Sequence, residues 1–344
     1  MKNSLLLFLL FNLLWSERSI AQTGKSNYKI VNTFHVEGEG GWDYLTMDES
    51  TGRLFVSHAT QVQVLDVKTG KVIGAIPDTK GVHGIALAND LNKGFISNGK
   101  DSSVTVFNLL TLAYITKIKV TGSNPDAILY DSFTHHVFTF NGRSSNSTVI
   151  DATTLKVIET IPLAGKPEFS LTDGKGKVFV NIEDKSLICV INSTTLKVEQ
   201  SWPLAPGEEP SGLALDNSSH RLFSVCDNKN MVIMDAENGK IVSTLTIGDR
   251  VDGVAFDPIK KRAYSSNGDG TVTVVQEENP TTFKVLENIA TQKGARTIAV
   301  DTKTHHIYLP TAEYEAAPPA TTENPHPRTS VKPGTFVILD IEVK

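Results

Sequence analysis

Cysteine, basic charge and helical periodicity are all scarce in this sequence, and each shortage excludes a class of protein. The only two cysteines, Cys189 and Cys226, stand inside apolar runs, which excludes a disulfide-rich scaffold and favours buried free thiols over a single bridge between them. A formal net charge of −5 provides no basic footprint and argues against nucleic acid as a partner. No stretch repeats with a helical period. The motifs of serine hydrolases, HExxH metalloproteases, P-loop proteins and covalently bound haem are absent, which disfavours those activities.

A nearly unbroken apolar run lies near the N-terminus. Lys2 precedes this run, which covers residues 5–15, and the small residues Ser19 and Ala21 follow it. The run is too short to cross a bilayer. We therefore predict a signal peptide over residues 1–21, cleaved after Ala21, no membrane span in the remaining chain, and a periplasmic or secreted location.

One aromatic residue recurs every 40 to 44 positions along the rest of the chain. Each recurrence follows a small apolar segment and a polar turn, and precedes two further segments with strand-like alternation. A unit of this length and composition is typical of a propeller blade. The sequence thus predicts an all-β fold, a single seven-bladed β-propeller of four-stranded antiparallel blades over residues 22–344, with the aromatics Phe55, Phe95, Phe138, Phe179, Phe223, Tyr264 and Tyr308 on the second strands.

The last repeat lacks a fourth strand, and a matching strand precedes the first repeat. Residues 335–341 read as a third strand, after which the chain soon ends, whereas residues 28–36 have the fourth-strand pattern. We predict that the N-terminal strand completes the last blade and closes the ring. Closure removes exposed strand edges. We also expect a monomer.

The ends of the second strands resemble the YVTN repeat of YncE-like bacterial propellers. The resemblance rests on FVSH (55–58), FISN (95–98), FTFN (138–141) and YSSN (264–267), and it extends over nearly the whole chain after residue 21. The segments FVNI (179–182), FSVC (223–226) and YLPT (308–311) depart from it by lacking the terminal Asn. The resemblance implies a periplasmic or cell-surface propeller, in a group whose rings serve as binding modules and occasionally as enzymes.

Ionisable residues recur at one position of the repeat, near the start of the first strand. The topology of a propeller brings this position to one face, close to the axis, and small residues follow it in most repeats. We predict an axial ring that binds a ligand, formed by Asp43, His83, Asp126, Glu168, Ser211, Asp252 and Arg296. The alternative is that these side chains are merely solvated or bond to free backbone groups at the strand starts.

A divalent metal is a candidate cofactor of the axial ring. Clustered carboxylate oxygens suit Ca²⁺, and carboxylates combined with an imidazole accept Zn²⁺ or another transition metal. Crowded carboxylates also raise one another's pKa, which suits a cation-binding pocket or a general base. The candidate metal ligands are Asp43, His83, Asp126, Glu168 and Asp252.

Further polar and aromatic residues are predicted to share the face of the axial ring. Trp42, next to Asp43, is either a platform for a ligand or a filler between blades. Several second strands end in a polar residue whose main expected role is to form the following turn. These residues are His58, Asn98, Asn141 and Asn267. The histidine pairs at 135–136 and 305–306 align with turns on the opposite face and are excluded as metal sites.

A proline-rich segment over residues 311–334 breaks the period of the last repeat. It is inserted between the second and third strands, on the face of the axial ring. It is either an irregular loop or a lid over the axis, with Tyr314, Glu315 and His326 able to reach inward.

These features favour an exported binding module whose axial funnel binds a small cationic or metal-bearing ligand, or a partner protein. The first alternative is an enzyme of the lactonase or lyase kind, in which an axial metal and a nearby base act together. The second alternative is a scaffold for protein assembly, which requires an exposed apolar patch.

Overall fold

The structure, a computed structural model, describes residues 26–319, 321 and 329–343. These residues form strands and turns, with no α-helix and two single 3-10 turns over Asn89–Leu91 and Glu183–Lys185. No helix in this part of the chain has the length and apolar character of a transmembrane span. The predicted signal peptide lies outside the described residues.

The strands, β1 to β28 in chain order, form seven four-stranded antiparallel sheets. This arrangement confirms the predicted number of blades and the number of strands in each. The blades are blade 1 (β2 Trp42–Asp48, β3 Arg53–His58, β4 Gln61–Asp66, β5 Lys71–Ile76), blade 2 (β6 Val82–Ala88, β7 Lys93–Asn98, β8 Ser103–Asn108, β9 Tyr114–Lys119), blade 3 (β10 Pro125–Asp131, β11 His136–Asn141, β12 Asn146–Asp151, β13 Lys156–Pro162), blade 4 (β14 Pro167–Thr172, β15 Lys177–Ile182, β16 Leu187–Asn192, β17 Lys197–Pro203), blade 5 (β18 Pro210–Asp216, β19 Arg221–Cys226, β20 Asn230–Asp235, β21 Ile241–Thr246), blade 6 (β22 Val251–Asp257, β23 Arg262–Asn267, β24 Thr271–Asn279, β25 Thr282–Ala290) and blade 7 (β26 Ala299–Val300, β27 Ile307–Thr311, β28 Val337–Val343, β1 Tyr28–His35).

The first strand of each blade is its innermost strand. These strands contact one another in a closed circuit, in which β2 packs beside β6, followed by β10, β14, β18, β22 and β26, and β26 returns to β2. The circuit defines a central axis around which the blades are arranged. The fold is therefore a seven-bladed β-propeller.

The N-terminal strand completes the last blade, as the sequence predicts. β1 pairs antiparallel with β28 from Tyr28 opposite Val343 to His35 opposite Val337. The Tyr28 hydroxyl also lies 2.7 Å from Arg262 Nη1, which donates to it from blade 6. The strand therefore joins the two ends of the chain and connects blade 7 to blade 6.

The recurring aromatic of the second strand fills the space between neighbouring blades. Phe223 is fully buried and stacks on Phe256 of the next blade, with ring centroids 5.0 Å apart. Tyr264, at the same position in blade 6, packs edge-on against Tyr28 at 6.1 Å. Because an isolated four-stranded sheet has both faces exposed to solvent, these contacts between blades supply the apolar burial that stabilises the ring.

The turn between the first and second strands depends on an aspartate and a left-handed residue. Asp216 accepts hydrogen bonds from the Ser218 and Ser219 side chains, and His220 completes the turn with φ of 56°. His305 occupies the equivalent position in blade 7 and bonds to Asp257 at 2.6 Å, whereas its neighbour His306 bonds to Asp340. The adjacent histidines of blade 7 thus have separate structural partners.

The two cysteines are separate buried thiols, as the apolar runs around them predict. Cys189 lies in β16 of blade 4 and Cys226 ends β19 of blade 5, with no bridge between them. Burial raises the pKa of Cys189 and raises that of Cys226 to about 12. Both thiols therefore stay protonated and chemically inert at neutral pH.

Candidate functional site

The residues of the axial ring surround one cavity on the propeller axis. The cavity has a volume of about 220 Å³, and six of the seven predicted residues line it: Asp43, Asp126, Glu168, Ser211, Asp252 and Arg296. The seventh, His83, contacts two of the lining carboxylates. The structure thus brings together residues that the sequence separates by about 250 positions.

A β-bulge lies at six of the seven ring residues. In six blades the ring residue is the second residue of the innermost strand, and the pairing with the second strand shifts at that point. In blade 1, for example, Trp42 pairs with His58 and Leu45 with Val56, so two residues lie opposite one. The same shift occurs in β6, β10, β14, β18 and β22. Because a bulge redirects a side chain without ending the strand, it supplies the inward orientation that the ring requires.

His83 lies between two carboxylates. Its Nδ1 is 2.5 Å from Asp43 Oδ2 and 3.7 Å from Asp126 Oδ1. One ligand atom from each of these three residues lies within 4.8 Å of the other two, which is a spacing that a metal ion could bridge. A metal bound through Nδ1 would displace the proton between His83 and Asp43, because an imidazole coordinates only through a deprotonated nitrogen.

The other two ring carboxylates have cationic partners of their own. Lys166 Nζ lies 2.7 Å from Glu168 and also pairs with Glu183, which does not line the cavity. Arg296 Nη1 lies 3.4 Å from Asp252 Oδ2, and its Nη2 donates to the Trp42 carbonyl at 3.3 Å. The carboxylates of the ring are only 20% to 32% exposed, so solvent screens these charges incompletely.

The environment of the cavity favours protonated side chains. Burial, followed by the charge of Asp126, holds the pKa of Glu168 above its usual range despite the opposing Lys166. Burial likewise raises the pKa of Asp126, against the charge of His83. Burial alone would lower the pKa of His83, but the Asp43 hydrogen bond and the nearby carboxylates raise it to about 9. For both carboxyls burial is the main cause, and the charge of neighbouring carboxylates adds to it.

We expect the protein to lose stability as the pH rises from about 6.5 to 9. Protonated His83 contributes fully below its unfolded pKa of 6.5, and that contribution is lost as the pH passes its folded pKa of about 9. Glu168, whose pKa is raised on folding, also favours the folded state less once it ionises. Thermal unfolding across this range measures the effect. Glu168→Gln should flatten the profile and Glu199→Gln, on an outer strand, should not. Equal profiles for the two variants would contradict the assigned role of Glu168.

Sequence reasoning missed two aromatic residues and one lysine of the site, besides several aliphatic lining residues. Tyr44 and Phe169 line the cavity and stack with ring centroids 5.6 Å apart, and Lys166 neutralises Glu168. The two aromatics could have been found, because they follow ring residues at a position where Gly or Ala stands in most repeats. No pattern in the sequence indicates Lys166, because a lysine stands at this position in one repeat only.

The Ser211 hydroxyl is buried at the cavity without a hydrogen-bond partner among the described residues. An orphaned hydroxyl of this kind is uncommon in folded proteins, because burial without a partner costs free energy. Ser211 is therefore a group that a bound ligand could satisfy.

The residues at the ends of the second strands do not reach the cavity. Asn98, Asn141 and Asn267 are fully buried, and each donates from Nδ2 to side chains on the third strand of its own blade. His58 is equally buried and bonds to Gln63 at 2.8 Å. These side chains stabilise turns. Trp42 is also buried, and packs on Phe336 at 5.1 Å as a filler between blades 1 and 7.

The inserted segment of blade 7 lies beside the axis. Tyr314 forms an isolated bridge with Val331 and lies 6.3 Å from the ring of Trp42. Glu315 is exposed, and its backbone N–H donates to Ser330. His326, the third residue of the predicted lid, lies outside the described residues.

Curated relatives of this chain exist, although no model of a known protein family matches it. An uncharacterized protein named YncE from Salmonella typhimurium is 25% identical over 206 residues, which are 57% of this chain and 58% of the relative. The chain is thus a seven-bladed propeller that is similar to YncE over 57% of its length. Antigen Lp49 of Leptospira interrogans is 23% identical over 219 residues, covering 60% of the YncE-like chain and 48% of the antigen. The chain thus matches between about half and three fifths of the length of these relatives.

Solved structures share the fold of the YncE-like chain at low sequence identity. A hydrazine synthase chain from Kuenenia stuttgartiensis superposes with a TM-score of 0.69 and 16% identity, covering 87% of the YncE-like chain and 97% of the other. U3-55K superposes with a TM-score of 0.74 and 9% identity, with coverages of 90% and 97%. At such identities the likeness concerns the propeller alone and carries no activity across.

Proposed function

We propose that this protein is an exported binding module whose axial cavity binds a small organic cation. The principal support is a charge imbalance. Four carboxylates, Asp43, Asp126, Glu168 and Asp252, share the cavity with three cations, His83, Lys166 and Arg296, and Lys166 also serves Glu183. When all four are ionised, one negative charge has no internal partner among the described residues, which is costly in a half-buried site, and burial together with this crowding raises the pKa of Glu168 and Asp126. A positively charged ligand would supply that partner.

The uncharged walls of the cavity also suit an amine. The stacked pair of Tyr44 and Phe169 presents aromatic surface next to the carboxylates, and such surface attracts cations. The Ser211 hydroxyl could accept a hydrogen bond from an ammonium group. A volume of about 220 Å³ lies below the usual range for drug-sized ligands, so the ligand group inside the cavity must be small.

The exported location is proposed from the N-terminal sequence. Lys2, the apolar run over residues 5–15 and the small residue Ala21 together follow the pattern of a cleaved signal peptide. Mass determination of the N-terminus after expression in a Gram-negative host tests the cleavage site.

Calorimetric titration with benzylammonium chloride tests the proposed function. In a chain of residues 22–344, we expect the triple change Asp43→Asn, Asp126→Asn and Asp252→Asn to weaken binding by more than about a hundredfold, because charge-assisted contacts to the amine are lost. Glu199→Gln on an outer strand is the control and should bind as the unaltered chain does. Circular dichroism establishes that each variant is folded. Unchanged binding by the folded triple variant would refute the axial site.

A divalent cation is the second candidate ligand, favoured by the convergence of Asp43, His83 and Asp126. Two carboxylates and an imidazole form a ligand set that Zn²⁺ accepts. Titration with Zn²⁺ distinguishes this candidate from an amine: His83→Gln should abolish binding of the metal, whereas Glu168→Gln should weaken only the amine. Stoichiometric Zn²⁺ would also provide the centre that a hydrolytic or lyase activity requires.

A further inference from the structure

A second, larger cavity lies beside the axial cavity, between the loops of blades 6 and 7. Its volume is about 740 Å³, and its walls come from the turns next to β22 and β23, the loop that precedes Arg296, and the inserted segment around Tyr314. Arg296 lines both cavities. The two cavities therefore adjoin at this arginine, and a molecule that occupied both would have to pass its side chain.

The charge of the second cavity is opposite to that of the axial cavity. Arg250 and Lys293 line it, and within the described part of the chain no carboxylate comes within ion-pair distance of either side chain. Among the described residues of its wall the single acid is Glu313, which pairs with Lys332 at 2.9 Å. The surplus is therefore positive, and it lies next to a cavity whose surplus is negative.

Tyr314 gives the second cavity an apolar surface in a fixed position. Its side chain is 39% exposed, and its ring is placed between Trp42 and the backbone of Gly294. A Cβ on Gly294 would lie 2.6 Å from Tyr314 Cε2, and Gly294 has φ of +86°. Glycine is thus required there both for its conformation and for the close approach of the ring.

We propose that the second cavity binds the anionic group of the same ligand whose cationic group lies in the axial cavity. The ligand class is then an organic zwitterion with separated charges, an amine at one end and a carboxylate or similar anion at the other. The arrangement matches each end with unpaired protein charge and places the connecting carbon chain along Tyr314. This inference rests on the proposed function, because it requires that the axial cavity holds the amine.

The test compares amino acids with their uncharged amides. The probes are ω-amino carboxylic acids with six, eight and twelve carbons, each paired with the corresponding ω-amino carboxamide, which keeps the length and the amine but removes the anion. Calorimetry with the chain of residues 22–344 should show that at least one acid binds about tenfold more tightly than its amide, since the acid adds charge-assisted hydrogen bonds.

Two double variants identify the residues responsible. Arg250→Gln with Lys293→Gln should make acid and amide bind equally while the amide keeps its affinity. Lys100→Gln with Arg143→Gln is the matched control, because it removes the same charge from exposed loops on the same face, outside both cavities. The control should keep the acid preference.

The outcomes separate the two proposals. If every amide binds but no acid binds better, the zwitterion inference is overturned and the amine site stands. If the preference survives in the Arg250 and Lys293 double variant, the anion binds elsewhere and the inference is again overturned. If neither acids, amides nor benzylammonium bind, the amine site and the zwitterion inference are both wrong.

Discussion

A chain that begins at residue 36, and therefore lacks β1, is expected to lose cooperative thermal unfolding. Removing β1 exposes the whole edge of β28 and opens the ring, because the strand supplies the fourth member of blade 7. It also removes Tyr28 and Phe34 from apolar clusters that join blade 7 to its neighbours. Folded domains are stable by only about 5–15 kcal/mol, so we expect the loss of a complete strand from a closed ring to remove most of that margin.

Two additional measurements make this prediction specific. A chain that begins at residue 26 keeps β1 and should unfold in a single transition, measured by circular dichroism. A synthetic peptide of residues 26–36 should restore that transition when it is added to the shortened chain. An unchanged melting temperature without β1 would show that the ring does not depend on strand pairing between its ends.

Gly212→Val is expected to destabilise the protein by about 3 kcal/mol and to abolish benzylammonium binding. Gly212 follows Ser211 in β18, where the innermost strands approach one another closely. A Cβ at this position would lie 2.7 Å from Val254 N and 2.9 Å from Gly253 Cα of the neighbouring strand β22. Because these are backbone atoms of a strand within the ring, they can move apart only if the ring widens beside the cavity.

Gly41→Val is the matched control for this change. Gly41 precedes β2, its φ lies outside the left-handed region, and a Cβ there would meet no atom within 4 Å. We expect its effect on stability to stay within about 0.5 kcal/mol. Thermal unfolding and calorimetry of both variants measure the difference. Full cation binding by Gly212→Val would show that the spacing of the innermost strands does not shape the cavity.

The fold could be predicted from the sequence because its units repeat. A single aromatic at a regular spacing fixed the number of blades, and the leftover strand pattern before Trp42 identified the closure. The prediction of which positions face the axis also rested on the repeat, since Asp43 and Asp252 occupy one place in it. Periodicity predicts such features well, because every blade must bury the same faces against its neighbours.

The details of the site could not be predicted in the same way. The bulge at Asp43 depends on how β2 pairs with β3, which a local pattern does not specify. The partnership of Lys166 with Glu168 depends on one blade alone, so no repeat indicates it. Asn98 ends β7, but its side chain turns toward Thr105 in the third strand, a direction that follows from the pairing of β7 with β8.

The bulges in the innermost strands allow the residues at the cavity to change without a change in the fold. The residue at a bulge is the extra one, so its side chain can be exchanged while the hydrogen-bond ladder on either side keeps its register. The chain already carries Asp, His, Glu and Ser at this place in different blades without any change of scaffold. Substitutions at these six positions could therefore change what the axial cavity binds. Natural propellers of this kind could diverge by the same substitutions.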